Sequence, residues 1–216
     1  MIAWFEYVRN FIKPKTFMSL EEAVENAQFC KKLWLLYPGS DLKPHGQLFL
    51  RLTKLKSLEV QCSIKFDEST FSLPEEIGEL TQLEKLILLN VPLSSFPEWI
   101  GRLKNLRYLM VRGNDVTQIP PFIQNLTKLK TLRVENCELN RLPKELSRLA
   151  GLTELGLGDT KIPYFPIEYL PPKLKVLGLG GPIFRYDEHE LRRVRKALPK
   201  TKVHSFMRLK EEVKNN

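Results

Sequence analysis

The sequence predicts an α/β solenoid: a right-handed curved coil whose short parallel strands form a concave sheet, with a helical cap at each end. Three observations predict it. The 23-residue segments starting at Leu83, Leu106 and Leu129, and the 22-residue segment starting at Leu152, align with one another. Each opens on L-x-x-L-x-L, with Val111 and Val134 as the last residue in two of them, and alternate residues of a strand face the same way. Each then runs through an apolar residue and Pro97, Pro120, Pro143 or Pro166. One such unit has nothing to bury its apolar side against, so neighbours stack into a continuous core.

The elements follow in chain order. Residues 1–29 are read as an arm and a cap helix. Met1 to Lys15 holds Trp4, Phe5, Tyr7 and Phe11, but Glu6 and Arg9 interrupt the apolar run, and a structured arm packed on the body is expected rather than a secretion signal. Ser19 with Glu22 three residues later is a capping-box pattern, and Leu20, Ala23, Val24 and Ala27 recur at helical spacing. Residues 30–185 form the solenoid, about seven strand-bearing units. A degenerate copy starts at Cys30, and a copy of about 28 residues starts at Leu55, swollen by Lys65 to Phe71. The four regular copies follow, and a truncated one starts at Leu174. In each, the proline suits the first position of a short helical turn. Ile77, Ile100, Ile123 and Leu146 then face the core from the wall opposite the strands. Residues 186–216 are read as a second cap: Asp187 and Glu190 open a helix, Leu191, Val194 and Leu198 are its apolar side, and Lys202 to Phe206 closes the sheet.

Composition narrows the function. Hydrophobic residues at 43% and charged residues at 27% are those of a globular chain. Cys30, Cys62 and Cys137 cannot form a disulfide framework, which favours a reducing compartment. No uncharged apolar run reaches the ~18 residues of a membrane span. His45, His189 and His204 are too scattered to hold a metal, and no glycine loop cradles phosphates, so neither a metal nor a cofactor is expected and the chain is read as no enzyme. Cys62 is placed on the concave side, which leaves a reactive thiol as a minor possibility.

The copies resemble the leucine-rich-repeat family, in its 23-residue LPxxIxxLxxL subclass, over roughly residues 30–185. Ser19-Leu20-Glu21-Glu22-Ala23 is similar to the N-terminal cap helix of bacterial members. The family's strand-to-loop asparagine is matched only by Asn114. Pro38, Ser63, Val91, Cys137, Thr160 and Pro182 stand at the equivalent positions. The resemblance implies a monomeric cytoplasmic protein that binds another protein on its concave face. Compact intracellular members also act as inhibitors, including antidotes to a toxin.

The outward strand positions locate that face. Trp34, Tyr37, Ile87, Leu89, Tyr108 and Met110 are the candidate anchors, because exposed aromatic and apolar side chains mark binding surfaces. Glu59, Arg112, Arg133, Glu135 and Asp159 are the candidates for orienting a partner. Seven strands project only about 450 Å², less than the ~800 Å² a standard interface takes from each partner, so rim loops must contribute. The alternative is an anion- or nucleic-acid-binding adaptor using the basic C-terminal cap, where nine Lys/Arg face two acids over residues 191–216. Nucleic acid is the less favoured partner, since no aromatic stacking pattern accompanies those bases.

Overall fold

A computed structural model describes residues 16–37, 41–62, 71–180 and 187–204. The arm Met1 to Lys15, the insertion apart from Phe71, and the chain beyond His204 lie outside the described residues.

Among the described residues, parallel strands form one sheet in which chain order is spatial order. They are β1 (Thr16–Phe17), β2 (Lys32–Tyr37), β3 (Ser57–Cys62), β4 (Lys85–Leu89), β5 (Tyr108–Asn114), β6 (Thr131–Cys137), β7 (Glu154–Gly156), β8 (Val176–Gly178) and β9 (Lys202–His204). Lys85, Tyr108, Thr131, Glu154 and Val176 stand side by side, so the sequence period is the sheet register. Seven of the strands belong to the repeat units. β1 and β9 are additions at the two edges: β1 has no counterpart in the sequence reading, and β9 is the expected closing strand.

Alternation puts the leucines on one side. Leu86, Leu88, Leu109, Val111, Leu132, Val134 and Leu155 are fully buried. The opposite wall is built by 3-10 turns at Glu75–Glu79, Glu98–Arg102, Pro121–Asn125 and Lys144–Arg148. From these, Ile77, Ile100, Ile123 and Leu146 reach the same core with no exposure. Burying each such side chain contributes roughly 1.5–3 kcal/mol. The prolines stand one residue earlier than the sequence suggested. Pro74, Pro97, Pro120 and Pro143 precede the turn with extended backbones. Their carbonyls accept the N–H of Ile77, Ile100, Ile123 and Leu146 at 3.1–3.3 Å. Proline fits there because its fixed φ suits the entry and its carbonyl, which it retains, makes the first bond of the turn.

The asparagine position is served by unlike side chains. Asn114 Nδ2 donates to the Arg112 carbonyl at 2.8 Å, within its own repeat. The Cys137 thiol donates to the Glu135 carbonyl at 3.2 Å and lies 3.8 Å from the Val111 carbonyl of the preceding strand. Thr160 Oγ1 donates to the Leu157 carbonyl at 2.8 Å.

Near one edge of the sheet is α1 (Leu20–Glu25). Ser19 Oγ accepts the Glu22 N–H at 3.1 Å, as its pattern predicted, and Leu20, Ala23 and Val24 are buried. A single further turn, α2 (Gly46–Phe49), buries Phe49. Before the opposite edge, α3 (Glu188–Ala197) buries Leu191 and Val194. Asp187 makes no side-chain cap bond there. Glu190, expected as its capping partner, instead turns to the preceding coil and accepts the Phe165 N–H at 2.9 Å. That buried N–H offers the carboxylate a stronger partner than an exposed helix end would.

Candidate functional site

Strand register assembles the face of the sheet turned away from the core. One lateral row runs Trp34, Glu59, Ile87, Met110, Arg133, Gly156 and Gly178. The next holds Leu36, Gln61, Leu89, Arg112 and Glu135. The row on the other side brings Lys85, Tyr108, Thr131 and Glu154 together. Nine of the eleven sequence-chosen residues therefore share one face.

The other two do not join them in this way. Tyr37 ends β2 opposite Cys62. Asp159 lies past β7 with φ 52°, and Asn90, Gly113 and Asn136 share that left-handed conformation at φ 51°, 69° and 49°. These four stand 23 residues apart and turn the chain out of each strand. Asn, Asp and Gly tolerate positive φ where β-branched residues do not. Asp159 is thus a turn residue first. The 23-residue recurrence of Asn, Gly, Asn and Asp was the signal for it.

The face is more covered than its outward direction suggested. Ile87 and Met110 are each 7% exposed, although neither belongs to the leucine core. The Tyr108 hydroxyl lies 3.8 Å from Met110 Sδ, and Lys85 Nζ stands 5.3 Å over the Tyr108 ring. Trp34 is half-buried, and its Nε1 is sealed with no hydrogen-bond partner among the described residues.

A charged cluster adjoins this apolar centre. Arg133 donates to Glu154 Oε1 through Nε at 3.0 Å and Nη2 at 2.5 Å. Its Nη1 lies 3.8 Å from Glu135 Oε1, too far for a hydrogen bond. Glu135 is only 8% exposed, and that oxygen has no hydrogen-bond partner among the described residues. Burial pushes the Glu135 carboxyl above its ordinary value, against the pull of Arg133 and Arg112. Burial raises Glu59 likewise, against Lys85. It also raises the Tyr108 phenol.

Glycines finish the face. A Cβ at Gly156 would stand 2.6 Å from Glu135 Oε1 and 3.0 Å from Arg133 Cγ, so glycine here makes room for the charged cluster of the strand before it. A Cβ at Gly158 would meet the Gly180 carbonyl oxygen at 2.5 Å, so that glycine admits the next coil's backbone. The glycine density of these repeats therefore serves packing between coils.

Cys62 is not on this face. It is 1% exposed within the core, because alternation along β3 turns it inward beside Leu58 and Val60. Burial pushes the thiols of Cys30, Cys62 and Cys137 up to about 11. Among the described residues no cluster of His, Cys, Asp and Glu has the arrangement to hold a metal ion. No helix among them is long and apolar enough to cross a membrane.

No protein-family model and no curated protein matches the chain. Solved structures do. A leucine-rich-repeat protein of Leptospira interrogans is 24% identical with a TM-score of 0.51, over 83% of this chain and 56% of that one. The leucine-rich-repeat ectodomain of the Arabidopsis thaliana membrane receptor kinase GASSHO1/SCHENGEN3, solved in complex with Casparian strip integrity factor 2, is 16% identical with a TM-score of 0.56, over 79% of this chain and 20% of that one. Internalin C2 of Listeria monocytogenes is 22% identical with a TM-score of 0.52, over 70% of this chain and 62% of that one. The chain spans less than two thirds of each of these proteins. With the 23-residue register and the single parallel sheet, these likenesses show that the chain has the leucine-rich-repeat fold.

Proposed function

We propose that this chain is a non-catalytic protein-interaction module whose partner docks on the sheet face turned away from the core, the concave face of such a coil. The observation that carries the reading is Glu135. A carboxylate oxygen that is sealed from water without a hydrogen-bond donor costs stability, which a donor brought by a partner would recover. Trp34 Nε1 is a second unsatisfied group on the same face, a donor where Glu135 is an acceptor. Between them Leu89 and Tyr108 supply the accessible apolar area, over the covered Ile87 and Met110, and Arg112, Arg133 and Glu154 supply charges that fix a partner's orientation. The Arabidopsis ectodomain is a protein of this fold solved in complex with a named factor. An inhibitory or antidote role in the cytoplasm is consistent with a face of this kind.

The test is affinity capture from native lysate with mass-spectrometric identification, repeated with a chain carrying Tyr108→Ala and Arg112→Glu. Both positions are half-exposed, so the melting temperature should stay within about 3 °C. Met110→Glu is unsuitable, since it would bury a charge. Loss of the captured protein supports this face, and undiminished capture places the site elsewhere.

A further inference from the structure

A second surface emerges from residues that look unrelated in the sequence. Just before each of β3 to β8, one residue donates its N–H to the matching carbonyl of the previous coil. The bonds run Lys56 to Lys31, Glu84 to Lys56, Arg107 to Glu84, Lys130 to Arg107, Thr153 to Lys130 and Lys175 to Thr153, all at 2.8–2.9 Å. The ladder sets Lys31, Lys56, Arg107, Lys130 and Lys175 along one rim of the solenoid. Each is exposed.

A parallel line lies two and three residues earlier in each repeat and adds Lys54, Lys104, Lys128 and Lys173, also exposed. The adjacency is direct: Asn105 Nδ2 donates to the Thr81 carbonyl at 2.8 Å, and Lys128 Nζ donates to Asn105 Oδ1 at 2.6 Å. Across these three positions the only acid among the described residues is Glu84. It holds Lys56 at 2.7 Å and lies 4.0 Å from Arg107. Near one end the rim opens into a recess of about 440 Å³ lined by Lys31, Thr53, Lys54, Lys56, Thr81 and Gln82.

We propose that this rim is a binding site for the phosphate backbone of double-stranded nucleic acid. Six steps of ~4.8 Å make the ladder about 29 Å long. One strand of a duplex presents a phosphate every ~3.4 Å, about nine over that span, which matches the density of cations on the rim. Eight of the nine cations are lysines, strongly hydrated point charges suited to phosphate contact without base reading. Thr53, Gln82 and Asn105 lie between them with hydrogen-bonding side chains. Single-strand binding needs successive aromatic platforms, and Phe29 is the only large exposed apolar side chain at these positions. That same scarcity of apolar side chains disfavours insertion into a lipid surface. The proposal stands apart from the concave-face reading, and its assay requires no protein partner.

The experiment is fluorescence anisotropy of the full chain with a labelled 20-base-pair duplex of mixed sequence, titrated across salt. With about six phosphate contacts, affinity should fall roughly 10³-fold between 50 and 200 mM salt, equally for a second duplex of different sequence. Lys130→Glu with Lys175→Glu should weaken binding and flatten the salt slope by about two. Circular dichroism melts verify that this chain is folded. Arg192→Glu with Lys196→Glu on α3 makes the same change in net charge at exposed positions outside the two rim lines and should cost far less. The proposal is overturned by any of four results: no anisotropy change at 50 mM salt, an unchanged slope in the rim variant, an equal loss in the α3 variant, or retention on phosphatidylserine vesicles without binding to the duplex.

Discussion

The Glu190 carboxylate accepts the buried Phe165 N–H at 2.9 Å. Arg193, one helical turn later, donates to both Glu190 oxygens at 2.8 Å and to the Phe165 carbonyl at 2.5 Å. Its guanidinium also lies 4.0 Å over the Tyr164 ring. Three side chains and both backbone groups of Phe165 thus tie α3 to the coil before it. Glu190→Ala leaves the Phe165 N–H without this acceptor and should cost about 2 kcal/mol. For a chain of this size that is a drop of about 4–8 °C in melting temperature by calorimetry, and an unchanged value would show the bond to be incidental.

The same carboxylate should give stability a pH signature. The hydrogen bond from Arg193 holds Glu190 below its ordinary value. The folded state therefore binds its proton less readily than the unfolded state. Its contribution is complete above the ordinary glutamate value of ~4.3 and is lost as pH falls through the lowered folded value. Urea midpoints of the native chain and of Glu190→Gln should differ at pH 7 and converge below pH ~4.

Glu59 and Glu135 should behave oppositely. Burial raises both, so the folded state holds their protons longer and the charged forms cost stability at neutral pH. Glu135→Gln should raise the urea midpoint at pH 7, with the gain shrinking as pH falls toward ~4.3. The same variant should capture the partner less well. A substitution that stabilises the chain while weakening capture would mark Glu135 as kept for binding. Lower stability at pH 7 would assign it to the fold.

Gly158→Ala drives a Cβ to within 2.5 Å of the Gly180 carbonyl oxygen, a backbone atom with little freedom to retreat. A loss of about 1–3 kcal/mol is expected in urea unfolding. Gly101→Ala should cost clearly less, because the nearest atoms to its Cβ are those of the Phe122 side chain at 3.2–3.4 Å. Equal losses would remove the steric account.

The three thiols, buried and pushed up to about 11, should resist a disulfide reagent at pH 8 in the native chain. All three should react at once in 6 M guanidinium. Rapid native labelling of Cys62 would restore it to the surface.

The sequence by itself determined the coil. Leu86, Leu109, Leu132 and Leu155 recur at 23 residues, and alternation within each strand requires no knowledge of any other coil to place them on one side. It likewise determined Ser19 as a helix cap, since capping is local. Alternation carried through to the end of β3 would also have turned Cys62 inward; placing it on the outer face overrode that rule. The tertiary structure alone decided how much of the outer face is covered at Ile87 and Met110, why Gly156 must be small beside Glu135, and that Lys31, Lys56, Lys130 and Lys175 form one line. The reason is distance: residues one repeat apart are 23 positions away in the chain, and they become neighbours at ~4.8 Å only after the coils stack. Side-chain crowding and charge density across the sheet arise at that step.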